Sequence, residues 1–196
     1  MKLQTLFLVV LFPFLLSNVH AQTTDDMERK HFIGSTLFMA LTPLLNPSPN
    51  YYQLNYGYRI TPKDVLSVEA ITWSYYGPQK KPNSEAFPGK VQAFGLGLAY
   101  KRFLWKGIYS QIHSTAFRQN YIGEDDKKIQ SGFQLFNVLR FGYHIKLFKN
   151  RWFIEPSVAA TSWFINTNLP DSFQVEEDKW DNYLLFEPGL HVGFNF

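Results

Sequence analysis

The feature that most constrains this chain is a rhythm of strand-like runs separated by connections that are alternately short and long. Eight runs, near 31–44, 51–60, 65–76, 91–104, 108–121, 131–147, 151–165 and 183–196, are each bounded by turn-forming residues. Thr61-Pro62-Lys63-Asp64, Trp105-Lys106-Gly107 and Phe148-Lys149-Asn150 are short turns, whereas 45–50, 77–90, 122–130 and 166–182 are longer polar loops. Such strict alternation puts every short turn at one end of an up-and-down sheet and every long loop at the other, with both termini at the short-turn end. The expected fold is all-β, an eight-stranded antiparallel up-and-down barrel.

Within the runs, side chains alternate in character with a period of two, so each strand has an apolar and a polar face. The second run sets Tyr52, Leu54, Tyr56, Tyr58 and Ile60 against Gln53, Asn55, Gly57 and Arg59. The sixth sets Phe133, Leu135, Leu139, Phe141, Tyr143, Ile145 and Leu147 against Gln134, Arg140, Gly142, His144 and Lys146, interrupted at Phe136, Asn137 and Val138. In the last, Leu184, Phe186, Leu190, Val192, Phe194 and Phe196 oppose Tyr183, Leu185, Glu187, Gly189, His191, Gly193 and Asn195. Runs one, three and five alternate less cleanly, and their facing stays open.

Periodicity alone does not say which face is inside. A soluble, lipocalin-like ligand carrier turns its apolar face inward; a membrane barrel turns it outward to lipid. Three features point to the membrane arrangement. The polar face carries Gly57, Gly95, Gly97, Gly142, Gly189 and Gly193, which relieve crowding in a narrow interior. Aromatics gather near the strand ends: Tyr51, Tyr52, Tyr75, Tyr76, Trp163 and Trp180 toward the long loops, and Trp105, Tyr109 and Trp152 toward the short turns, like the two belts of a bilayer-spanning barrel. The runs also exceed the usual five or six or so residues of globular strands.

The N-terminus fits that route. Lys2, the apolar stretch 3–16 and Val19-His20-Ala21 have the layout of a secretory signal peptide, and the stretch is shorter than the roughly 20 residues of a membrane-spanning helix. The expected organisation is a signal peptide over 1–21, a periplasmic segment over 22–30 and an outer-membrane barrel domain over 31–196. The absence of Cys argues against a lipid anchor at the cleavage site and against a disulfide-stapled fold. A net charge of +3 with scattered basic residues leaves no footprint for nucleic acid.

Taken together, the signal peptide, the eight alternating segments with short and long connections, and the terminal Leu190, Val192, Phe194 and Phe196 resemble the small Gram-negative outer-membrane barrels of the OmpA/OmpX type, over essentially the whole mature chain. The resemblance implies a monomer in the cell outer membrane, in contact with outer-membrane lipids and lipopolysaccharide, without cofactor or metal. It also implies that Val192, Phe194 and Phe196 are the signal read by the barrel assembly machinery.

An inward polar face would bury Arg59, Glu69, Lys101, Arg140, His144, Glu155, Glu187 and His191, with acids and bases close to balance. Unpaired buried charge is costly, so these groups should form one internal ion-pair and hydrogen-bond network. Neighbouring strands suggest that Arg140 pairs with Glu155, Glu187 or both. Glu155-Pro156 and Glu187-Pro188 repeat one pattern, and each proline should mark a ladder defect because it lacks an amide hydrogen.

Catalysis finds little support. The pattern Gln111-Ile112-His113-Ser114-Thr115 is the nearest approach to the Ser-His pair of lipid A deacylases, yet adjacent strand residues point to opposite faces. Two glutamates inside a filled barrel offer no path for a sugar, and His113, His144 and His191 lack ligand spacing. Eight strands leave an interior filled by side chains, which excludes a wide channel. Lys80, Lys81 and Lys90 in one long loop could touch lipopolysaccharide phosphates, and the 171–181 loop is acidic and reads as solvated surface. The expected role is structural or surface-interaction; a lipid-modifying barrel enzyme and a soluble secreted binding barrel are the alternatives.

Overall fold

A computed structural model describes residues 29–37, 50–76 and 87–196. The expected signal peptide, most of the 22–30 segment, the second half of the first run, the 45–49 loop and Lys80 and Lys81 lie outside the described residues. The strands are β1 (His31–Thr36), β2 (Asn50–Arg59), β3 (Asp64–Tyr75), β4 (Lys90–Trp105), β5 (Ile108–Ile122), β6 (Lys128–Tyr143), β7 (Ile145–Leu147), β8 (Trp152–Thr167) and β9 (Tyr183–Asn195). One helix, α1 (Asp171–Glu177), interrupts the last loop.

Strands consecutive in sequence pair antiparallel except β6 and β7, β1 pairs with β9, and β6 pairs with β8, so the sheet closes on itself. β6 and β7 form one barrel strand: the register that pairs Gly142 with Ser157 continues as Ile145 with Ile154. The gap falls at His144, opposite Glu155-Pro156, where the proline has no amide hydrogen to give. The barrel therefore has eight strands.

The turns follow local chemistry. Lys106 and Gly107 form a two-residue hairpin with φ of 45° and 90°, the left-handed pair that matches the twist of the flanking strands. Thr61 closes the β2–β3 turn: its Oγ1 accepts from the amides of Lys63 and Asp64 and donates to Asp64 Oδ2 at 2.6 Å. One connection departs from expectation. β5 and β6 extend toward each other until 123–127 alone separates them, because the strands continue through Ile122 and Lys128.

The polar and small face is the inner one. Arg59, Glu69, Lys101, Arg140 and Glu155 are buried, whereas Tyr52, Leu54, Leu96 and Leu98 are 60 to 70% exposed on the outer surface. Inner glycines make room for large neighbours: a Cβ at Gly142 would lie 2.5 Å from the Tyr109 ring, and one at Gly193 would lie 2.1 Å from Phe153. Alternation in β6 is unbroken in geometry, with Phe136 and Val138 inward and Asn137 outward; only the residue types break the pattern.

Three facings need correction. An extra β9 residue shifts the register, since Ala159 pairs with Glu187 but Thr161 pairs with Leu184. The bulge at Leu185 and Phe186 leaves Leu185 exposed outside, turns Leu184 inward beside buried Thr161 and turns Tyr183 outward, because one inserted residue exchanges the faces of everything beyond it. This is the ladder defect beside Pro188. The belts are also thinner than expected, because Tyr51, Tyr75, Tyr109 and Trp163 belong to the interior.

Candidate functional site

The interior is layered. At the short-turn end, Phe32, Val65, Phe103, Tyr109 and Phe153 form an apolar plug. Above it lies the charged layer. Lys101 on β4 reaches across the barrel to Glu155 on β8, its Nζ 2.6 Å from both carboxylate oxygens, and His144 Nδ1 lies 2.7 Å from Glu155 Oε1. The Lys101 ammonium also sits over the Tyr109 ring, 4.5 Å from its centre, and the Arg59 guanidinium lies 5.4 Å from the centre of Phe103. The ionic layer therefore rests directly on the aromatic plug.

Glu69 anchors a second branch. It accepts from Thr115 Oγ1 and, at 3.3 Å, from Gln53 Nε2, while His113 Nε2 stands 3.8 Å away. Gln53 in turn accepts from Tyr51 OH at 2.7 Å and donates to Asn55 at 3.0 Å. Sequence analysis did not assign Gln53, Thr115 and Tyr51 to the interior network, although their inward parity was available once Asn55 and Glu69 were placed.

Arg140 differs from expectation. Its Nη1 donates to Ser157 Oγ at 2.9 Å, and none of its described bonds reaches a carboxylate. Lys101 and His144 already occupy Glu155, and Gly189 lets the guanidinium lie against β9, where a Cβ would come within 2.1 Å of Nη1. Glu187 and His191 flank this region at the inner face, and Glu187 Oε2 and His191 Nδ1 have no hydrogen-bond partner among the described residues.

Above the polar layer, Ile71, Ala93 and Phe117 pack with Tyr51, Trp73 and Phe136. The long-loop end is closed by α1, which sequence reading took for a solvated acidic loop. Phe173 on its first turn is fully buried against Phe87 and Tyr121, with ring centres at 4.9 and 5.5 Å. Leu169 and Phe173, four residues apart on either side of the Pro170 start, are the apolar pair that could have revealed it. Glu177 ties the helix to β8 by accepting from Trp163 Nε1 at 3.2 Å and Asn166 Nδ2 at 3.4 Å. Burial pushes its carboxyl above the ordinary range, and those two bonds pull it back in part.

The interior cavity measures about 30 Å³ and is bordered by Lys101, His113, Arg140, Glu155 and His191. That admits water and nothing larger. Among the described residues no His, Cys, Asp and Glu cluster has the arrangement of a metal site. His113 and Ser114 lie on opposite sides of the wall: His113 faces Glu69 inside, and Ser114 donates to Asn137 Oδ1 at 2.6 Å outside. A hollow of about 460 Å³ opens on that outer side, between β5 and β9.

At the seam, Val192, Phe194 and Phe196 face outward beside Ile33 and Ser35 of β1. Phe194 pairs with Ile33 and stacks on Phe196, and the His31 and Phe196 amides exchange hydrogen bonds of 3.1 and 2.8 Å. Comparison with protein-family models, with curated proteins and with solved structures gave no match.

Proposed function

We infer that this protein is an integral outer-membrane barrel of the OmpA/OmpX type, exported by a signal peptide over 1–21, with a structural or surface-interaction role and no catalysis. The observation that carries the reading is the inverted polarity of the barrel: charged groups are buried in its interior while Leu54, Leu96, Leu98 and their neighbours cover the outside. In water that surface would be a continuous aggregation liability, whereas in a bilayer it is the solvent-matched face. The filled interior also speaks against a soluble ligand carrier and a wide channel. On this reading Val192, Phe194 and Phe196 serve the assembly machinery, and the long loops meet the outside.

Fractionation of expressing cells together with gel mobility before and after boiling tests this. The expected result is recovery with outer membranes and a band that migrates differently once heated. Recovery wholly in the soluble periplasm would overturn it. A lipid-modifying role predicts a mass change in membrane lipid on expression, lost in His113→Ala; the expectation here is no such change, since His113 and Ser114 are separated by the wall.

A further inference from the structure

One register row climbs the outer wall, from Phe194 at the short-turn end of β9 to Tyr183 at its long-loop end, and changes character halfway. From the seam through β4 its outward residues are Phe194, Ile33, Tyr56, Val68 and Leu98, each paired with the next. From β5 to β9 the same row continues as Ser114, Asn137, Ser162 and Tyr183. Small side chains at Ser114, Ala160 and Ser162 floor the hollow described above, and Ile112, Leu139 and Leu185 stand around it. The Ser114 hydroxyl occupies Asn137 Oδ1. The Asn137 amide hydrogens and the Ser162 hydroxyl have no partner among the described residues.

Hydrocarbon offers such groups no hydrogen bond, so bare lipid tails are a poor occupant. The floor is recessed between aliphatic ridges, so the convex wall of a second barrel does not reach it, while a slender chain bearing a carbonyl or hydroxyl does. Farther along β5 the outward column runs from Ser114 past small Ala116 to exposed Arg118, about 13 Å toward the long-loop end at about 3.3 Å per residue. Arg118 has no acidic partner among the described residues. A cation above a polar-floored apolar groove is complementary to a phosphorylated lipid with polar linkages in its chains.

We propose that this hollow binds the lipid anchor of lipopolysaccharide, with an amide-linked or hydroxylated chain on Asn137 and Ser162 and a sugar phosphate on Arg118. The proposal rests on the membrane reading above and gives that barrel one defined lipid contact. No bond is made or broken, and Ser114 acts only by holding the Asn137 side chain in place.

Native mass spectrometry of the full chain, purified from membranes in mild detergent and titrated with lipopolysaccharide, tests it. Wild type should retain one molecule, and Arg118→Gln and Asn137→Leu/Ser162→Val should each lower retention roughly tenfold while keeping the heat-shifted gel band. Equal retention by an inserted wild type and both variants overturns the groove and leaves the membrane reading standing. Equal retention of phosphatidylglycerol overturns the choice of lipid, and disulfide-linked dimers from Ser162→Cys would assign the hollow to a second copy. A wild-type chain found only in the soluble fraction overturns both readings.

Discussion

The two halves of the barrel wall are built to different tolerances. The pairings of β1 with β9, β1 with β2, β2 with β3 and β3 with β4 run without a register shift, and the outward residues of the climbing row are apolar in this half. The pairings of β4 with β5, β5 with β6, β6 with β8 and β8 with β9 each contain one shift. Both Glu-Pro pairs, the ladder gap at His144 and the polar outward row belong to this second half. Two of those shifts, between Leu135 and Asn137 and between Ala159 and Thr161, border the hollow, so irregular backbone and polar exterior meet there: bulges re-aim side chains, and the re-aimed wall leaves the hollow.

The largest test of the comparison is the tie between the halves. Lys101→Met leaves Glu155 with one fewer partner in a buried layer and should cost about 3–5 kcal/mol, measured by urea unfolding after refolding into vesicles. Adding Glu155→Leu should recover most of the loss; no recovery would mean that the layer is held by packing around it instead. Next in size is the outer row. Leu98→Arg in the regular half should cost about 2–4 kcal/mol in the same assay. Asn137→Leu in the irregular half should leave stability unchanged or raise it, and a comparable loss there would erase the distinction between the halves.

The smallest effect concerns α1. Glu177 holds its proton more tightly when docked than when free, so docking is favoured in acid and weakens as pH rises through the docked value. Trp163 fluorescence followed across the acid range should report that weakening, and Glu177→Gln should flatten it. A profile unchanged by the substitution would assign the titration elsewhere.

Much of the wall was readable from residue order, because period two and turn chemistry are local properties. β2 shows this best: Tyr52, Leu54, Tyr56 and Tyr58 lie outside and Gln53, Asn55, Gly57 and Arg59 inside, as their alternation implies. The interior was less legible, because partners there are chosen across the barrel. Lys101 and Glu155 are 54 residues apart and on non-adjacent strands, so the neighbour rule selected Arg140 instead. Aromatics misled for a related reason: Tyr51 and Trp163 near strand ends suit a belt or a plug equally, and only the bulges and facing decide. Leu184 was misplaced by a single inserted residue, even though Pro188 had signalled a defect nearby.

The seam has a consequence for how the molecule comes together. Gly34 pairs with Gly193 across nearly the whole chain, while every other strand pairs with a close neighbour in sequence. Hairpins can therefore form early and cheaply, but the loop entropy of closure is met only in the last step. Until then Lys101, Glu155 and His144 remain hydrated on an open, curled sheet. Drying of the charged layer and shutting of the seam are thus one event, and the folding barrier should sit there: weakening the β1–β9 contact slows closure far more than weakening any hairpin.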